Sequence, residues 1–255
     1  FVGGRNGDIL LTELSSEGIF EDLVRVNSDT RLNVKIMDMK TRKVTEVNEQ
    51  GSPISESELE MFIEKYKSYV QKSKAIVISG SIPPEMHKGV YYDLIKIAKK
   101  ESKPVFLDCG GSLLYESIKA SPDYIKPNKH EFADMFGKDD ITDEEIIKYS
   151  KRLIANYGIK YIVVTLGREG AIGISENEAF KILPPNVEVV STVGAGDAFL
   201  AGLCYGYLRD MELRTQLIIA TSFSNAKITK EGTIVPSMIE LIGYTDGCQI
   251  ISMNS

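Results

Sequence analysis

The chain is poor in the residues that hold soft metals or build disulfide frameworks. Of its 255 residues only two are histidine, His87 and His130, and three are cysteine, Cys109, Cys204 and Cys248. No CxxC or HExxH run occurs, which argues against a zinc site of His and Cys. An odd number of widely spaced cysteines offers no disulfide framework and fits a reducing compartment, so the expected location is cytoplasmic. Positive charge is not in excess: 30 Lys and Arg stand against 36 Asp and Glu, a net charge of −6. Nucleic-acid binding needs clustered cations against phosphates, and that class is set aside. A single anionic ligand held by two or three cations is not excluded. No uncharged apolar run approaches the roughly 20 residues of a membrane span. The phosphate-binding GxxxxGK[ST] is missing. Gly194-x-Gly196-x-x-Phe199 lacks the third glycine of the dinucleotide fingerprint and falls late in the chain. Phe1-Val2-Gly3-Gly4 is neither an initiator methionine nor a basic-then-apolar leader, so the chain reads as starting inside a longer one.

What is present is a hydrophobic content of 43%, ample for one large domain or one domain with an appendage. Ser55 to Glu58 is a capping box, followed at helical spacing by Leu59, Phe62, Ile63, Tyr66 and Val70. Thr142 to Glu145 is a second, opening a helix that stops at Gly158. Ala75–Ser79, Val105–Leu107, Tyr124–Ile125 and Tyr161–Val164 read as strands, with helices between them. Apolar strands separated by helices predict an α/β fold with a parallel sheet covered on both faces. Residues 20–48 break the rhythm. Phe20 to Val26, Arg31 to Met37 and Lys43 to Val47 look extended, with a hairpin turn at Asp38 to Arg42. The expected division is an α/β core over 1–19 and 49–255 with a small β lid over 20–48. No internal repeat or low-complexity segment is visible.

In such a sheet, ligands bind beyond the carboxyl ends of the strands. Those ends read Gly80-Ser81, Asp108-Cys109-Gly110-Gly111, Lys126-Pro127-Asn128 and Thr165-Leu166-Gly167. Each could be mere turn chemistry, but four together, with Lys126, Asn128 and Glu131 clustered, point to a polar ligand. The sharpest signal is Ser191 to Phe199, a glycine turn opening a helix with a small face at Ala198, Ala201, Gly202 and Gly206. A helix N-terminus with Gly194 and Gly196 makes an anion site. Asp197 either caps its own helix or is an acid facing a nucleophile beside that site. On a strand, Arg31, Asn33 and Lys35 share one face, a row that suits a phosphate or is simply solvated. His130 reads as a surface histidine, and Cys109 is assigned no role.

These motifs, in this order, resemble the ribokinase-like (PfkB) carbohydrate kinases over essentially the whole chain. Gly194 to Phe199 is similar to that family's GAGDAF signature and Gly80 to Pro84 to its GSxPP turn. Lys126-Pro127-Asn128 with Glu131 resembles KPNxxE, and Thr165 to Ala171 resembles (S/T)xGxxGA. Thr30 to Lys35 looks like the TRxNVK strand of the phosphosugar branch, the 1-phosphofructokinases and tagatose-6-phosphate kinases. The resemblance implies a three-layer α/β/α sandwich with a mostly parallel sheet and a β lid. It implies transfer from ATP to a sugar phosphate, first of all fructose 1-phosphate, with tagatose 6-phosphate and fructose 6-phosphate as alternatives. Asp197 becomes the base and Gly194, Ala195 and Gly196 the anion hole. Lys126, Asn128, Thr165, Gly167, Arg168, Glu169 and Gly170 would bind the nucleotide, with Phe223, Ser224 and Asn225 bordering the adenine. Asn128 and Glu131 would arrange Mg²⁺ and its waters. Gly4, Arg31, Asn33, Lys35, Ser81 and Asp197 would meet the sugar phosphate, and the lid would join a homodimer. The resemblance further implies a substrate-binding aspartate and a di-glycine motif in an N-terminal segment of about fifty residues, which this chain is expected to lack. Two other classes stay open: a sugar-phosphate or nucleotide sensor, which needs no base, and a nicotinamide dehydrogenase, which needs the glycine fingerprint near its start.

Overall fold

The computed structural model of the chain describes residues 1–38 and 44–253. It comprises two compact units, Phe1–Lys72 with Ser81–Val90, and Ser73–Gly80 with Tyr91–Ser255.

The first unit holds helix α1 (Gly4–Ser16), an antiparallel ribbon of β1 (Asn33–Met37) and β2 (Val44–Asn48), and helix α2 (Glu56–Val70). Ser55 and Glu58 form the expected capping box at the head of α2. The extended stretch expected at Phe20–Val26 yields one isolated parallel bridge, Val2 to Arg25, and no strand. Arg31 precedes β1 rather than lying on it, so Asn33 and Lys35 alone of the expected row share a strand face. The ribbon pairs Val34 with Val47 and Ile36 with Thr45, and leaves Val34, Ile36 and Val47 exposed, as is Leu32 just before it. Apart from Asp38, the expected hairpin turn falls outside the described residues.

The second unit is built on one sheet. Along the chain come β3 (Ile76–Ser79), α3 (Val90–Lys100), β4 (Val105–Asp108), α4 (Gly111–Ser117), β5 (Tyr124–Ile125), α5 (Lys129–Asp134), α6 (Asp143–Tyr157) and β6 (Tyr161–Thr165). The antiparallel strands β7 (Ala171–Ile174) and β8 (Ala179–Leu183) follow. Then come the helices α7 (Ala195–Tyr207), α8 (Leu213–Ile228) and α9 (Met238–Ile242), and the edge strand β9 (Gln249–Ser252). The strands lie side by side in sequence order, β3 to β6 parallel and β7 to β9 antiparallel. Strand side chains alternate between faces. Phe106, Tyr124 and Val163 therefore meet Phe199, Leu203 and Leu217 from α7 and α8 on one face. On the other, α6 packs on β6 and β7, with its Ile146 and Ile154 buried. The stacked rings of Phe106 and Tyr124, 4.3 Å apart, anchor the first layer, and the Tyr124 hydroxyl donates to Gln216 Oε1 at 2.6 Å. The α/β/α sandwich with a mostly parallel sheet is the fold expected from the sequence. Its parallel strands all end on one rim, which carries the polar turns.

Candidate active site

On that rim, β4 ends at Asp108 and β5 runs into Lys126-Pro127-Asn128. Lys126 is buried, 5% exposed, and its Nζ lies 3.0 Å from Asp108 Oδ2. Burial pushes the Asp108 carboxyl up, Lys126 opposes that shift, and the like charges of Glu131 and Asp197 reinforce it. Three carboxylates thus share one neighbourhood with one buried ammonium. The Cys109 thiol beside them is pushed up to about 12, by burial first and then by Asp108 and Glu131. Asn128 caps α5: its Oδ1 accepts from Glu131 N–H at 2.9 Å, while Glu131 Oε2 accepts from Asn128 N–H at 2.8 Å. The Glu131 carboxylate leans on the turn after β4, where a Cβ at Gly110 would stand 3.0 Å from its Oε1. A parallel bridge joins Asn128 to Thr165, so the turns after β5 and β6 are stitched together.

The turn after β6 rises to Gly170, whose φ of +90° already favours glycine, and a Cβ there would stand 1.8 Å from the Ile182 carbonyl oxygen. This close approach to β8 shapes one wall of a cavity of about 410 Å³. Thr165, Gly167, Arg168 and Gly170 form that wall; Ala195, Gly196 and Phe199 form another, and Thr221, Ser224 and Asn225 of α8 a third. Of the residues expected to bind nucleotide, Lys126 and Glu169 are outside the lining. Phe223 is likewise absent from it, being packed in the core. Sequence reasoning missed the segment Pro184–Val187, which supplies the fourth wall. Asn225 braces it, its Nδ2 donating to the Pro185 carbonyl at 3.1 Å.

Gly194 is the N-cap of α7, in left-handed geometry at φ +75°. The first intrahelical bond runs from Ala198 N–H to the Gly194 carbonyl, and Ala195 N–H closes a turn on the Thr192 carbonyl at 3.3 Å. The Gly196 and Asp197 N–H groups therefore have no intrahelical acceptor. Asp197 sits in the first helical turn, exposed, with no hydrogen bond or ion pair among the described residues. It does not cap the helix that bears it.

The first unit contains a separate cavity of about 260 Å³, lined among others by Asp29, Thr30, Arg31, Gln50 and Ser81. Arg31 Nη2 donates to Ser81 Oγ at 3.1 Å. Gly4 opens α1 against Asp29, whose Oδ1 would overlap any Cβ there. Gly4, Asn33 and Lys35 are not in this lining, which is rich in hydroxyl and amide groups suited to a polyol.

The fold and the rim define an α/β protein of ribokinase-like architecture. A model of the pfkB family carbohydrate kinases matches residues 1–240. The chain is 32% identical over 237 residues to the 1-phosphofructokinase of Bacillus subtilis, covering 91% of this chain and 77% of that protein. It is 34% identical over 208 residues to that of Borreliella burgdorferi, covering 81% and 66%. The crystal structure of a possible 1-phosphofructokinase from Thermotoga maritima matches with a TM-score of 0.88 over 100% of this chain and 81% of that one, at 24% identity. The chain belongs to the pfkB family of carbohydrate kinases, enzymes for which ATP is the co-substrate. No helix among the described residues is long and apolar enough to cross a membrane.

Proposed function

We propose that the chain transfers the γ-phosphoryl group of ATP to a sugar phosphate, and that this substrate is fructose 1-phosphate. The substrate class comes from the similarity to 1-phosphofructokinases and from Arg31, placed in a hydroxyl-rich cavity where a guanidinium suits a phosphate. The observation that carries the chemistry is Asp197, without a hydrogen-bond or ion-pair partner among the described residues, beside the N–H groups at the head of α7 that have no intrahelical acceptor. A helix N-terminus favours a charged carboxylate and a bound anion alike. Asp197 orients the sugar hydroxyl and takes its proton, while the Gly194–Gly196 turn receives the phosphoryl oxygens. Phosphoryl transfer runs through a loose transition state, so positioning and charge supply the rate. Lys126, held by Asp108, answers charge on the nucleotide phosphates. Thr165, Gly167, Arg168 and Gly170 line the phosphate side, with Glu169 in the same turn outside the lining, and Ser224 and Asn225 border the adenine.

Among the described residues no group of three or more His, Cys, Asp or Glu could cage a metal ion. That fits Mg²⁺ held with nucleotide phosphates, which needs one or two carboxylates and keeps its own waters. Asn128 and Glu131 would arrange it. One Glu131 oxygen is left over from the capping box, and the like charges of Glu131 and Asp197 beside Asp108 are a setting that a further cation would ease. When bound it would neutralise charge on the transferring phosphate. The exposed apolar residues Leu32, Val34, Ile36 and Val47 support a homodimer through the lid of residues 20–48, with Asn33 and Lys35 reaching the sugar phosphate. The composition supports a cytoplasmic enzyme.

The test is Asp197→Asn in a coupled ADP-release assay. Turnover on fructose 1-phosphate should fall at least about a hundredfold with ATP binding unchanged. A variant with native turnover removes Asp197 from the mechanism. Faster turnover of the wild type on tagatose 6-phosphate or fructose 6-phosphate would reassign the substrate.

A further inference from the structure

Lys227, near the C-terminal end of α8, is a cation the reading above does not use. It is 6% exposed, and lysine is seldom buried so deeply without a partner of opposite charge. The only acceptor of its Nζ among the described residues is a neutral one, the Gly232 carbonyl at 2.8 Å. An ammonium carries three donors and is costly to bury with a single neutral contact. The negative end of α8 offsets part of that cost. The side chain also lies against the phosphoryl-binding turn: a Cβ at Gly194 would stand 3.1 Å from Lys227 Cε. The same end of α8 grips the approach to the turn, since Val190 and Ser191 N–H both donate to the Ile228 carbonyl, at 2.8 and 3.1 Å.

We propose that Lys227 is a positioning residue for phosphoryl transfer: its stem seats Gly194, and its ammonium, tied to Gly232, sets a fixed positive charge behind the Gly194–Gly196 turn. The inference rests on the reading of that turn as the site of the transferring phosphoryl group. The turn needs both parts. The positive φ favours glycine at the N-cap, and the stem packs closely over it, 3.1 Å from where a Cβ would be, which helps keep the first-turn N–H groups in place. The charge counts most where negative charge grows, so it acts on the transition state more than on bound ATP. Lys126 has a different place, paired with Asp108 and 3.6 Å from where a Cβ at Gly196 would be.

The experiment compares the wild type, Asp197→Asn and Lys227→Met, which keeps an apolar stem and loses the charge. Lys227→Met should lower kcat roughly tenfold to a hundredfold, with the KM for ATP and ATP binding by calorimetry within about twofold. In Lys227→Ala, ammonium chloride should restore part of kcat while tetramethylammonium chloride, too large for the buried site, should not. Should Lys227→Met fold poorly, Lys227→Gln, which retains a donor towards Gly232, is expected to show the same kcat loss. Unchanged kcat in Lys227→Met, or loss of kcat, ATP affinity and melting temperature together without ammonium rescue, overturns the proposal. If Asp197→Asn is inactive while Lys227→Met turns over normally, only this inference falls. If the wild type transfers no phosphoryl group to any sugar phosphate, the functional reading falls and takes the inference with it.

Discussion

Gly202→Ala sets two magnitudes against each other. Gly202 is in the middle of α7, and on helix propensity alone alanine should stabilise the protein by about 1 kcal/mol. The packing says otherwise. A Cβ at Gly202 would stand 2.5 Å from Ala220 Cα, 3.0 Å from Ala220 N and 3.1 Å from the Ile219 carbonyl oxygen of α8. Carbon atoms in good contact are about 3.5–4.0 Å apart, so the two helices must part by about 1 Å. All three obstructing atoms are backbone, and no side chain can swing aside. Overpacking of this kind costs about 1–3 kcal/mol, and a rigid obstacle belongs at the upper end. The net expectation is a loss of about 1–2 kcal/mol, or a melting temperature lower by about 2–8 °C. Ala201, one residue earlier and exposed, calibrates propensity alone: Ala201→Gly should cost about 1 kcal/mol with turnover unchanged. Because α7 carries the glycine turn and Asp197 at its head, a shift of about 1 Å should also cut kcat by about tenfold or more. Urea unfolding and the ADP-release assay on both variants decide it. A Gly202→Ala protein that is more stable than the wild type would refute the reasoning, because propensity would then have won over packing.

Arg31→Ala should raise the KM for fructose 1-phosphate roughly tenfold to a hundredfold, the worth of a charge-assisted contact to phosphate. The KM for ATP should stay put; equal losses on free fructose would make Arg31 a brace for Ser81 instead. Asp123, 2% exposed, would be raised by burial. The Lys99 ammonium at 2.8 Å, the Val105 N–H at 2.9 Å and the Lys160 ammonium at 3.0 Å more than reverse this, holding its carboxyl below the ordinary range. A depressed folded pKa gives stability that is complete above the ordinary carboxylate value and is lost as pH falls through the folded one. Asp123→Ala, which also strands the Val105 N–H, should cost about 2–4 kcal/mol at pH 7 and flatten the acid limb of the stability curve. An equally steep acid limb in the variant would put the acid sensitivity elsewhere.

Where local chemistry decides an element, the sequence is legible. The boxes at Ser55 and Thr142 and the left-handed Gly158 stop are determined within four residues of themselves, and helices α2 and α6 form at those places. The strands β4 to β6 are continuous apolar runs because both faces are covered, whereas the equally apolar β3 leaves Val77 half exposed. Strand β7 is buried throughout, yet its sequence does not announce it. Gly173 is a poor strand residue by propensity, and its place in β7 is set by Leu217 of α8, whose Cδ1 would be 2.7 Å from a Cβ there. Helix α1 opens at Gly4 without a side-chain cap and carries Ile9 and Leu10 in the open, so neither its start nor its face announces it.

The candidate site divides in the same way. Its backbone parts are written in contiguous strings, because a turn that must bring N–H groups to an anion needs its glycines in adjacent positions. Its charges are not. Asp108 ends β4 and Lys126 follows β5, and they become a pair only when those strands lie side by side. Lys227 and Gly194 meet only when α8 returns beneath the head of α7. Asn128 and Glu131 have the spacing of a capping box and also that of a metal-arranging pair, so three residues of separation cannot say which use the carboxylate serves. The second Glu131 oxygen, which the cap leaves over, is the one a proposed cation would meet. A helix cap needs only one carboxylate oxygen, and among the described residues Lys126 is the single ammonium facing the carboxylates of Asp108, Glu131 and Asp197. Their charge is explained if a cation and the phosphates of a nucleotide complete the neighbourhood.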